Sequence, residues 1–185
     1  MNGYIKYILK LLNKCDVYLV FGRYYEYSPK CVTRSGRAGK ASSNKHKTTP
    51  TMLLTMQKIL LNCTANKVQL IGIIICEKVI EKAINMQTIC RSFKNRLIVT
   101  GLNLIPQQAY EGLHQEKEDM TTTNEEADVI IPQQVVNAVK QRSNCIKDLC
   151  DDTDVFALLL HFYVQEKLTC PLFMEETMLR AHQLT

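Results

Sequence analysis

Val17-Tyr18-Leu19-Val20-Phe21 is an unbroken run of β-branched, aliphatic and aromatic residues. A strand with one wet face alternates apolar and polar residues, so a continuous run of this kind points to a strand covered on both faces. Arg96-Leu97-Ile98-Val99-Thr100, ending at Gly101, reads as a second such strand. Apolar residues at helical spacing surround these two segments. Tyr4, Ile5, Ile8, Leu9, Leu11 and Leu12 predict an amphipathic helix over residues 3–14, and Val68, Leu70, Ile71, Ile74, Val79 and Ile80 predict another over 67–85. Cys145–Cys150 reads as a third strand, Val155–Val164 as a buried helix, and Leu168–Met174 as a last strand. Asp148 falls inside the third strand, where an unpaired charge is costly and tends to neutralise. Strands alternating with helices define an α/β fold, a mainly parallel sheet flanked by helices. A length of 185 residues suits a single domain, 1–185, with a real core.

The remaining segments are less regular. Ser28–Pro50 is rich in Ser, Thr, Gly, Lys and Arg, with almost nothing large and apolar to bury. It reads as a basic flexible loop, because burial there cannot offset the entropy of ordering. Met52–Leu61 fits a helix or an extended piece equally well. Residues 107–124 are polar and acidic and read as a surface excursion. Thr123 or Asn124 can cap a helix whose first turn carries Glu125, Glu126 and Asp128, where the helix dipole stabilises carboxylates. Pro132 then either kinks that helix or restarts it as a first helical residue.

The charge is unevenly divided. Its formal total of +5 separates into 17 Lys/Arg against 4 Asp/Glu over residues 1–100, and 6 against 14 over 101–185. Such a split fits one half facing nucleic acid, or simply unequally solvated faces. Arg23, Lys30, Arg34, Arg37, Lys40, Lys45 and Lys47 are the candidate phosphate contacts, with Tyr24, Tyr25 and Tyr27 available either to stack bases or to pack on their own sheet. Eight cysteines without a CxxC pair, and four histidines without HxxxH spacing, give no structural-zinc pattern. No cleavable signal and no membrane-length apolar run is present, so the expectation is an intracellular protein with reduced thiols, nuclear or cytoplasmic. His161, on an apolar helix, reads as a half-buried structural histidine, and Cys150 as a small core residue.

Two acidic clusters carry the chemistry. Asn124-Glu125-Glu126-Ala127-Asp128 and Asp151-Asp152-Thr153-Asp154 bracket the third strand, so six carboxylates lie just before and just after it. Hard cations take oxygen ligands, and Mg²⁺ needs only one or two carboxylates besides water and substrate phosphate. In an open parallel sheet, sites lie beyond the carboxyl ends of strands, which is where Asp152 falls.

This arrangement resembles the flap-endonuclease and PIN-like nuclease superfamily, in which a Glu-x-Glu/Asp pair precedes an Asp-x-Asp pair. It is most similar to mobile-element-associated PIN-like proteins that carry His-Glu-Glu-Ala-Asp and Asp-Asp-Thr-Asp-Val-Phe motifs after a strand ending Val-Phe-Asp-Arg-Tyr. The corresponding residues here are Glu125-Glu126-Ala127-Asp128, Asp151-Asp152-Thr153-Asp154-Val155-Phe156 and Val20-Phe21-Gly22-Arg23-Tyr24. The resemblance extends from about Asp16 to Glu175. It implies a metal-dependent nuclease with catalytic and metal-binding residues Glu126, Asp128, Asp152 and Asp154: the first two would hold one Mg²⁺ or Mn²⁺ and the last two the other. Asp152 and Asp154 would converge by sharing one side of an extended strand end.

The chain departs from the family pattern at Gly22, which stands where relatives have an aspartate, and it ends before the downstream segment that completes their site. Asp16 begins its strand and does not end it. The expectation is therefore an incomplete PIN-like domain, truncated or degraded, of nuclease ancestry and with cleavage weakened or lost. Two alternatives stand beside it: a non-catalytic nucleic-acid-binding module acting through residues 23–47, or a non-functional gene remnant.

Overall fold

The computed structural model describes residues 2–23, 68–69, 71–72, 77–90, 94–101 and 103–175. Helix α1 (Asn2–Leu12) leads into strand β1 (Val17–Val20). After helix α2 (Lys78–Ile89) come strands β2 (Leu97–Thr100), β3 (Gln107–Tyr110) and β4 (Leu113–Glu116). A 3-10 turn at Glu118–Met120 precedes helix α3 (Ala127–Lys140), strand β5 (Ile146–Leu149), helix α4 (Thr153–Gln165) and strand β6 (Leu172–Glu175). The expected loop 28–50, the segment 52–61, and the phosphate-contact candidates Lys30, Arg34, Arg37, Lys40, Lys45 and Lys47 lie outside the described residues.

Strands β1 and β2 are parallel neighbours, with Val17 opposite Leu97 and Val20 opposite Thr100. All four residues of β2 are buried, the signature of a strand covered on both faces, whereas in β1 only Val17 is fully buried. Ile5, Ile8 and Leu12 of α1 and Val79, Ile80 and Ala83 of α2 recur at helical spacing and pack on Val17, Leu97, Val99 and Ala109 to form the main core. Helix α3 contacts β1 as well. At the entrance of the parallel pair, Asp16 fixes the register. Its carboxylate accepts from Arg96 N at 2.7 Å, from Nε at 2.9 Å and from an Nη at 2.6 Å. At the exit, Gly101 adopts φ +123°, and a Cβ there would sit 1.8 Å from Phe21 O, so only glycine fits.

The sheet is less parallel than its sequence suggests. Strands β2, β3 and β4 run antiparallel to one another, completing a four-stranded sheet in the order β1-β2-β3-β4. Residues read as a surface excursion are thus a hairpin closed by Glu111 and Gly112, both at positive φ, as a two-residue hairpin turn requires. Buried Gln87 of α2 anchors it, donating to Ala109 O at 3.3 Å and Asn95 O at 2.8 Å while accepting from Gly112 N at 3.1 Å.

The third expected strand, β5, is also not in this sheet. It pairs in parallel with β6 in a separate two-stranded sheet bridged by α4. The residues of β5 explain this. Ile146 and Asp148 face the helices while Lys147 turns outward to an ion pair with Glu175, a pattern that a doubly covered central strand could not accommodate. Val135, Val155 and Leu159 form a second core there with Ile131, Ile146, Leu168, Leu172 and Met174. Helix α4 is only partly buried, since Phe156, Leu160 and Val164 are 54%, 55% and 69% exposed, and His161 is exposed rather than half-buried. Among the described residues no helix is long and apolar enough to cross a membrane. The fold is mixed α/β, with helices beside one mixed and one parallel sheet.

Candidate functional site

Both acid-x-acid motifs occupy the same position in their helices. Glu126 is the N-cap of α3, with Ala127 and Asp128 opening its first turn; Asp152 is the N-cap of α4, with Thr153 and Asp154 opening its first turn. The start of α3 therefore lies at Glu126 and not at Thr123 or Asn124. Helix α3 also runs straight through Pro132 without restarting, which leaves the Asp128 carbonyl without its usual i+4 donor.

This placement accounts for the acids in helix terms. Asp152 Oδ1 accepts from Asp154 N at 2.9 Å, the bond an N-cap supplies to an otherwise unpaired helix-start amide. Asp128 Oδ1 accepts from Val129 N at 3.0 Å. Asp154 stands in the first helical turn, so Asp152 and Asp154 are not the strand-end pair expected to share a side. Asp152 and Asp154 are exposed, and Glu126 and Asp128 half-buried. Among the described residues no three His, Cys, Asp or Glu side chains are disposed to hold a metal ion.

The strand end in front of the first cluster is closely engaged with it. Arg23 N donates to Glu125 O at 2.7 Å, and a Cβ on Gly22 would meet Glu125 O at 3.5 Å and Ala127 N at 3.6 Å. Position 22 thus adjoins the acidic start of α3.

Arg23 is not a phosphate contact. It is 2% exposed, and its guanidinium donates to Thr122 O, to Asn124 O at 3.1 Å, to Asn103 O at 2.9 Å and to Leu104 O at 3.2 Å. Five fork-like donors suit an arginine to tying several carbonyls together inside a fold. Next to a basic tract it reads as surface, and the burial follows only from where residues 101–106 and 122–124 meet.

Asp148 behaves as its position in a strand suggests. Burial pushes its carboxyl above the ordinary value, a backbone bond from Leu149 opposes this, and Oδ2 has no partner among the described residues. Burial likewise raises the Cys150 thiol; a bond from Asp152 N at 3.4 Å to its Sγ opposes this, and the carboxylates of Asp148, Asp152 and Asp151 add to it. A thiol held protonated is a poor nucleophile.

One feature was not legible in sequence. A polar cleft of about 450 Å³ opens between residues 119–124 and the faces of α3 and α4. The signal for it is the pair Gln133-Gln134 within a helix that is otherwise apolar on its inner side. Comparison with protein-family models, with curated proteins and with solved structures gave no match.

Proposed function

We propose that this chain is a nuclease-derived, PIN-like domain in which metal-dependent phosphodiester cleavage is weakened or lost. The observation that carries this reading is the contact of Gly22 with the Glu125–Ala127 backbone. Position 22, where the resemblance expects an aspartate, adjoins the acidic start of α3 and lacks the carboxylate. The capping role of Asp152 agrees with the loss of cleavage, because its carboxylate serves the start of α4. The test is cleavage of single-stranded and flapped DNA and RNA with Mg²⁺ or Mn²⁺, beside Asp152→Ala. The expected result is product formation no greater than that of the variant. Metal-dependent cleavage abolished by Asp152→Ala would show that the carboxylates do converge in solution.

A second reading, non-catalytic nucleic-acid binding through the basic segment, is favoured by the excess of 17 basic over 4 acidic residues in the first hundred. Its signature is binding that needs no metal and weakens steeply with salt, as phosphate neutralisation requires. Arg23 takes no part in it.

A further inference from the structure

Helix α4 is apolar on nearly every side, yet of its residues only Val155 and Leu159 are fully buried. A helix of this composition is ordinarily enclosed. Here one face is open. Phe156, Leu160 and Val164, four apart and so aligned in one stripe, are 54%, 55% and 69% exposed, and Ala157 beside them is exposed too. The stripe runs into a groove of about 250 Å³ lined by Phe156, Leu159, Leu160, Tyr163, Leu172 and Met174, where α4 leaves part of β6 uncovered.

Charge selects what can cover this face. A helix that lies on a lipid surface carries Lys and Arg on its polar side, whereas α4 has neither and starts between the exposed acids Asp152 and Asp154. What the face does complement is its own copy. Two α4 helices crossing antiparallel over Leu160 set that residue against its counterpart and the large Phe156 against the smaller Val164, the reciprocal contact that a two-fold interface requires. The same crossing brings Lys167, exposed just beyond the carboxyl end of α4, to the acidic start of the second helix at Asp152 and Asp154, and it opposes the two helix dipoles. A parallel crossing would set acid on acid and lysine on lysine.

The area sets the strength. A large aromatic side chain presents roughly 150–250 Å². Phe156, Leu160 and Val164, each half to two-thirds exposed, therefore offer on the order of 300 Å² together, the size at which an apolar patch marks an interaction site. A stable interface takes about 800 Å² from each partner. Even with the groove and a polar rim added, the association is of the weak, reversible class.

We propose that the open face of α4 is a self-association surface on which a second copy of this chain docks antiparallel, with Leu160 at the two-fold axis. The proposal rests on neither nuclease ancestry nor the basic segment.

Sedimentation of the full chain from about 1 to about 500 µM tests it, and the weight-average mass should climb from that of one chain towards that of two, with a Kd on the order of tens of micromolar. Leu160→Glu puts two like charges at the axis and should weaken self-association about tenfold or more without lowering Tm, because the position is already open to water. Phe156→Glu and Val164→Lys should each weaken it as well. Combined in one chain, those two changes should restore much of the affinity, since each new acid then faces a new base across an antiparallel pair; this rescue also separates a lost contact from a misfolded variant. A monomer at every concentration would overturn the proposal, whatever else covers the face. So would dimers that Leu160→Glu leaves intact, a double variant that associates no better than the single ones, or a monomer whose binding to phosphatidylcholine vesicles is abolished by Leu160→Glu.

Discussion

Gly22 and Ala127 touch across the end of β1: a methyl group on Gly22 would lie 3.6 Å from Ala127 N and 3.9 Å from its Cβ, ordinary contact distances. A larger residue therefore fits there with little displacement. Gly22→Asp should fold, and should be less stable than the parent without metal because it adds a charge beside the acidic start of α3. Mn²⁺ should then raise its Tm more than that of the parent, since an ion that binds only the folded state stabilises it by mass action. Melting curves with and without Mn²⁺ measure this directly. An identical metal response in both proteins would sever position 22 from any ancestral metal site.

Arg23→Lys keeps the charge and discards the planar fork. One ammonium cannot reach the carbonyl pairs held by the two separate Nη groups, so buried carbonyls lose their donor and the expected cost is about 3 kcal/mol, visible as a large fall in denaturant midpoint. Nucleic-acid affinity of the protein that remains folded should be unchanged. Unaltered stability with reduced affinity would return Arg23 to the surface.

Asp148 sets a pH dependence. Its carboxyl is raised by burial from the usual 3.8, so the folded state holds the proton more tightly than the unfolded chain. The stabilisation from that proton is fully present below the unfolded value and is lost as pH rises through the folded one. Asp148→Asn should accordingly melt higher than the parent at neutral pH, and the gap should close as pH falls below about 3.8. A gap that is constant from pH 3 to 7 would contradict a buried, raised carboxyl.

Gly101→Ala should be among the most damaging single changes. The added Cβ would fall 1.8 Å from Phe21 O at a φ of +123°, combining backbone strain with a clash against main chain that cannot rotate away. A loss above about 2 kcal/mol is expected by chemical denaturation. A silent substitution would mean that β1 and β2 do not end side by side.

Segments with a strong apolar period were legible in the sequence as elements: α1, β1, β2, α4 and the existence of β5 follow from apolar spacing, although α4 is far less buried than its apolar content suggests. The hairpin was not, because Gln107-Gln108-Ala109-Tyr110 and Leu113-His114-Gln115-Glu116 lack β-branched residues, and what fixes them is Gln87 from α2. Only Glu111-Gly112 hinted at a turn. Sheet membership of β5 is not legible because pairing partners are not encoded in a strand's own residues; Lys147 and Asp148 are the only residues in it that speak against a doubly covered position. At the site, the acidic motifs stood out as charge, and the first was partly read as a helix start. Whether carboxylates meet depends on tertiary placement, which spacing alone does not fix. Arg23 misled for the same reason, since a buried cation is recognisable only through the carbonyls that surround it.

The division of the interior into two cores bears on cooperativity. One core joins α1, α2 and the four-stranded sheet; the other joins α3, α4 and the β5–β6 pair, and the contact of α3 with β1 is a seam between them. A molecule held this way need not open all at once. Amides of β5 and β6 are expected to exchange with solvent through partial opening events that leave β2 protected, so the domain is built to loosen from its carboxyl-terminal half first.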